Sequence, residues 1–69
     1  MKFSCEIRAS HGSMLFPAER MTAEEFGHIV EWLPKWRAYP DGELTIYNES
    51  GVVTVLNADV QSVTITAVA

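Results

Sequence analysis

Met21-Thr22-Ala23-Glu24-Glu25-Phe26-Gly27-His28-Ile29-Val30-Glu31-Trp32-Leu33-Pro34, residues 21–34, is the stretch that decides how this chain folds. Thr22 stands three residues before Glu25. That is the spacing of a capping box, in which the hydroxyl accepts from the Glu25 N–H and the carboxylate accepts from the Thr22 N–H. Met21 before the cap and Phe26 at the fourth helical position are placed as a hydrophobic staple. Two devices mark one boundary, so a helix starts here. Phe26, Ile29, Val30 and Leu33 then recur at i, i+3, i+4 and i+7, an apolar stripe that needs a flat surface to cover it. Pro34 lacks the donor for an i→i−4 bond and disfavours helical geometry at Leu33, so the helix is expected to end or kink there. On the opposite face Glu24, His28, Glu31 and Lys35 form i, i+4 pairs suited to solvent.

The flat surface is supplied on both sides of the helix. Residues 2–9 alternate, with Phe3, Cys5, Ile7 and Ala9 on one face and Lys2, Ser4, Glu6 and Arg8 on the other, which is the pattern of a half-buried strand. Ser10-His11-Gly12-Ser13 reads as a turn in which Gly12 supplies a positive φ. Met14-Leu15-Phe16 is placed to return as a short strand ended by Pro17. After the turn residues Pro40-Asp41-Gly42, residues 43–48, 52–57 and 60–68 are dense in β-branched and aromatic side chains, and short connections between them suggest a three-stranded antiparallel meander. Leu44, Ile46, Val53, Val55, Val63, Ile65 and Ala67 fall on its apolar face. Thr45, Tyr47, Val52, Thr54, Leu56, Ser62, Thr64, Thr66 and Val68 fall on the other. The expected order is β(β)αβββ: an α+β fold with an antiparallel sheet of four to five strands and one amphipathic helix on one face. Residues 1–69 leave room for one such domain.

A chain this small buries only about 60% of the surface its unfolded form exposes, so its core is marginal without a supplement. Cys5 is the only cysteine and cannot form an internal disulfide, and two histidines with one cysteine do not make a closed zinc site. A second subunit or a larger partner is the supplement left. The second face of the sheet, neutral and partly apolar where solvent-facing sheets usually carry Lys and Glu, suits such an interface; either it or a sheet edge is covered by another copy, giving a homodimer, or by a different partner, or it is a Thr-rich surface that a monomer tolerates. No apolar run reaches the about 18 residues of a membrane span, and the start has no signal-peptide core, so a cytoplasmic location is expected. The net charge of −4 disfavours nucleic acid and anionic lipid as partners and favours a basic protein surface.

Residues able to do chemistry are sparse. Cys5 lies on the apolar strand face and reads as a small core residue. His11 is near Ser13 in sequence, but a nucleophile also needs its base oriented by a third group. A Glu24-His28 metal fragment lacks further ligands at a telling spacing. Asp41 and Asp59 sit beside turns, and the four glycines are scattered rather than gathered into a phosphate loop. Neither catalytic residues nor a cofactor or metal site is therefore assigned. A small enzyme built around His11 ranks third among the readings.

The segment Trp32-Leu33-Pro34-Lys35-Trp36-Arg37-Ala38-Tyr39 concentrates both tryptophans, a tyrosine and two of the five cations. If helical geometry persists past Pro34, Trp32 and Trp36 stand one turn apart on the flank of the stripe, partly exposed. Either they close the end of the core over the sheet edge, or they form a binding ridge of the residue types that dominate hot spots. Trp32, Lys35, Trp36, Arg37 and Tyr39 are the candidate partner-binding residues. In size, acidity and lack of catalytic groups the chain resembles the small accessory proteins of bacteriophages and mobile elements, many of which bind and inhibit a host enzyme. That likeness is one of size class and implies a noncatalytic protein-binding module, an inhibitor or adaptor. The alternative is a nucleic-acid-binding module that stacks bases on the same aromatic-basic segment.

Overall fold

A computed structural model describes residues 2–48 and 51–68. The elements are β1 (Lys2–Ala9), β2 (Gly12–Phe16), α1 (Ala23–Trp36), β3 (Glu43–Asn48), β4 (Gly51–Leu56), a 3-10 turn (Asn57–Asp59) and β5 (Val60–Val68). The chain is a small α+β fold with one helix packed against antiparallel sheets.

The helix begins as its local sequence dictates. The Thr22 N–H donates to Glu25 Oε1 at 3.0 Å and the Glu25 N–H donates to Thr22 Oγ1 at 3.1 Å, so both halves of the capping box form. Met21 packs against the core, and the Phe26 ring stacks on Phe3 of β1 with centroids 5.0 Å apart. Pro34 does not end the helix, which runs on to Trp36. The expectation that the helix ends at Leu33 is corrected. The bond that Pro34 cannot make belongs to the Val30 carbonyl, and both residues are exposed, so water can satisfy that group.

The strands divide into two sheets. β1 is the middle of a three-stranded sheet ordered β2-β1-β5, and β3 and β4 form a separate hairpin. The expected meander of β3, β4 and β5 is therefore corrected: β5 leaves β4 at the 3-10 turn and pairs with β1, from Lys2↔Val68 to Arg8↔Ser62. Length favours this partner, since β5 has nine residues, β1 eight and β4 six. The Ser10 N–H donates to the Asp59 carbonyl at 2.9 Å and ties the β1–β2 loop to the corner where β5 begins. Gly12, which opens β2 after that loop, has φ +141°, as the turn reading required.

One core serves both sheets. Cys5 and Ile7 of β1, Phe16 of β2, Ile29 and Trp32 of α1, Leu44 and Ile46 of β3 and Val60 of β5 are buried together. β1, β3 and β4 present the faces expected from their alternation, and on β5 Val63 and Ile65 turn inward while Ala67, also expected on the apolar face, is exposed. The helix is turned slightly from its expected setting: Trp32 is only 6% exposed, whereas Val30 is 44% exposed. No helix among the described residues is long and apolar enough to cross a membrane.

Candidate functional site

The aromatic-basic segment spans the last turn of α1 and the loop that leads to β3. Its foundation is Asn57, a buried polar residue that the sequence reading did not single out. The Trp32 Nε1–H donates to Asn57 Oδ1 at 2.7 Å, and Asn57 Nδ2 donates to the Tyr39 carbonyl at 2.8 Å. The Asn57 backbone N–H donates to the Gly42 carbonyl at 3.0 Å. One residue thus joins the helix, the 39–42 loop and the corner between β4 and β5. Only close approach allows this. A β-carbon on Gly42 would stand 2.8 Å from Asn57 Nδ2.

On this base the five candidate residues take different positions. Trp32 was expected to be partly exposed, and that is corrected: the Asn57 amide satisfies its N–H, which removes the main cost of burying an indole. Trp36 is half-buried and stacks on Trp32 with centroids 5.7 Å apart and planes 22° apart. The Arg37 guanidinium lies 4.8 Å from the centroid of the Trp36 ring, a cation–π position. Tyr39 is 62% exposed, and its backbone N–H donates to the Lys35 carbonyl at 3.0 Å. The Lys35 side chain lies on the exposed side of the same turn. Trp32 therefore closes the core, as one of the two alternatives has it, and Trp36 stands half-buried above it.

Beside this ridge is a cleft of about 340 Å³, walled by Trp36, Pro40, Ala58 and Val60 and rimmed by Arg37 and Gln61. A second groove, of about 840 Å³, lies at the other end of the helix between Met14, Leu15, Pro17 and Met21 on one side and Tyr47 and Val53 on the other. Alternation could place Met14, Leu15, Tyr47 and Val53 on strand faces. That β2 and the hairpin stand apart with a groove between them depends on nonlocal pairing.

The reactive side chains are dispersed. His11 is exposed in the β1–β2 loop, and His28 lies 3.9 Å from Glu24 on the solvent face of the helix. Cys5 is fully buried, and desolvation raises its pKa above the ordinary thiol value, which holds it as the neutral thiol. No group of three potential metal ligands converges among the described residues. Compared with known proteins, the chain matches no family model, and no curated protein or solved structure matches it significantly.

Proposed function

We propose that the chain is a noncatalytic protein-binding module, an inhibitor or adaptor of the phage or mobile-element type, that grips a protein partner in the cytoplasm. Trp36, Arg37 and Tyr39 make the contact, Lys35 adds charge at the rim, and Trp32 acts from below by fixing Trp36. The observation that carries this reading is the stack of Arg37 on Trp36 on buried Trp32, which presents an accessible aromatic with little freedom left to lose. A hot spot gains affinity when its side chains are ordered before the partner arrives. The sheet is the surface assigned to a second copy of the chain.

The test is capture of the partner from a host lysate, followed by affinity measurements on the purified pair. Tyr39→Ala and Arg37→Ala remove exposed side chains, so each is expected to weaken binding about tenfold or more, as hot-spot truncations do, with little change in thermal stability. Unchanged affinity in both variants would rule out the ridge. The nucleic-acid reading rests on the stacked cation above an aromatic. It demands an affinity that falls steeply with salt and survives removal of any protein partner.

A further inference from the structure

We infer that two copies of this chain associate through the outer edge of β5, pairing antiparallel about a two-fold axis at Ile65 to join two three-stranded sheets into one of six strands. This deepens the self-association part of the proposed function and is independent of the ridge at the helix end.

β5 is an outer strand of its sheet, and among the described residues no strand pairs with its free side. From Val60 to Val68 it contains no charged residue and no proline, the usual devices that keep an edge from recruiting another strand. The other free edge of the same sheet, β2, is shorter and is followed at once by Pro17. Burial on the inner face also stops short at β5. Cys5 and Ile7 of β1 are fully buried, their register partners Ile65 and Val63 only partly so, and Ala67 is exposed. The helix carries an apolar flank of its own. Phe26, Val30 and Leu33 share one flank at i, i+4 and i+7, and Phe26 anchors that flank on Phe3, the register partner of Ala67.

The strand suits a copy of itself. A bulge at Arg8/Ala9 leaves Gln61 without a register partner, so the regular edge runs from Ser62 to Val68 with Ile65 at its centre. Antiparallel pairing about that centre sets Ile65 against Ile65 and Val63 against Ala67 on the inner face, and Thr64 against Thr66 on the outer face. No charge meets a charge in that pairing, so the shared net charge of −4 is kept out of the joint. A standard interface takes about 800 Å² per partner, about a sixth of this chain's 4911 Å². The β5 edge and the apolar side chains beside it would have to supply that area.

The register supplies the experiment. Thr64 and Thr66 are exposed and outward, so lysines there spare the core, and Lys at position 64 faces Glu6 of its own β1. Sedimentation and light scattering of the wild-type chain are expected to give twice the 7.7 kDa mass as concentration rises. In T64K/T66K each lysine directly opposes one from the mate, and dimerisation should weaken at least tenfold with the monomer's circular dichroism unchanged. T64K/T66E should return the dimer to within about threefold of wild type, since opposite charges then face each other. A wild-type chain that stays monomeric at millimolar concentration overturns the inference. So does a dimer indifferent to T64K/T66K, and if it is instead dispersed by Tyr47→Lys on the hairpin face, the interface lies there. Arg37→Ala and Tyr39→Ala should leave the dimer intact, which separates this failure from failure of the ridge.

Discussion

Gly42 and Asn57 define the tightest point in the molecule. The neighbour that an added methyl would strike is an amide held by two hydrogen bonds, so it cannot yield without releasing Trp32 or Tyr39. Gly42→Ala is expected to cost about 1–3 kcal/mol, the usual range for overpacking a well-filled site, read as a fall in the urea midpoint. A midpoint within error of wild type would mean that the amide is free to move. Cys5 makes a second residue-scale prediction. Its thiol pKa is raised in the fold, so the unfolded chain loses its proton first as pH rises above the ordinary value of 9.0. The stabilisation is complete below that pH and is lost from there up to the folded pKa, at about 1.4 kcal/mol per pH unit. Cys5→Ala, less stable throughout, should lack this part of the alkaline decline when stability is measured from pH 8 upward. Parallel pH profiles for the two chains would contradict a desolvated thiol. Neither Asn57 nor Gly42 was legible as a site residue, because the bond from Trp32 to Asn57 spans 25 positions. Asn57 beside Ala58 and Asp59 looked like ordinary turn chemistry.

Among the elements, the helix was the most legible because its signals are local. A cap, its reciprocal glutamate and a stripe at helical spacing need no knowledge of the remaining chain. Its rotation was less legible. Hydrophobicity favoured Val30 over Trp32 for the interior, and the buried acceptor that reverses this preference lies on another element. Pro34 was misjudged for a related reason, since the cost of a missing donor depends on whether its carbonyl partner faces solvent. Gly27 gives a prediction at this scale. It sits in the interior of α1, exposed, and beyond its chain neighbours and the helix's own backbone no atom lies within 4 Å of where a β-carbon would go. Gly27→Ala is therefore expected to stabilise the chain by about 0.5–1 kcal/mol, raising the urea midpoint without altering its slope. A lower midpoint would show that the bare position serves a contact the free chain does not reveal.

At the scale of the whole molecule, fold class and strand faces were legible and strand partnership was not. Alternation assigns Cys5, Ile7, Leu44, Ile46, Val63 and Ile65 to the interior whichever strands are neighbours. Short connections suggested that β5 would stay beside β4. The 3-10 turn instead carries it across to β1, where a longer partner awaits. That choice sets where the molecule is incomplete. It encloses β1 on both sides and leaves β5 outermost, so the uncharged strip faces outward at one margin while the aromatic ridge occupies the helix end. Two surfaces of different character result, one polar-aromatic and one made of bare backbone and β-branched side chains.

The tryptophan pair has a further consequence, which is optical. Two indoles 5.7 Å apart at a shallow angle lie close enough for their transitions to couple, so the native chain carries a near-ultraviolet signature that vanishes when they separate. The lower ring reports on the integrity of the interior, and the upper one on whatever settles upon it. The chain thus carries its own fluorescent gauge, with no dye attached: a landing molecule would perturb the coupled pair through its outer member, while melting would abolish the coupling.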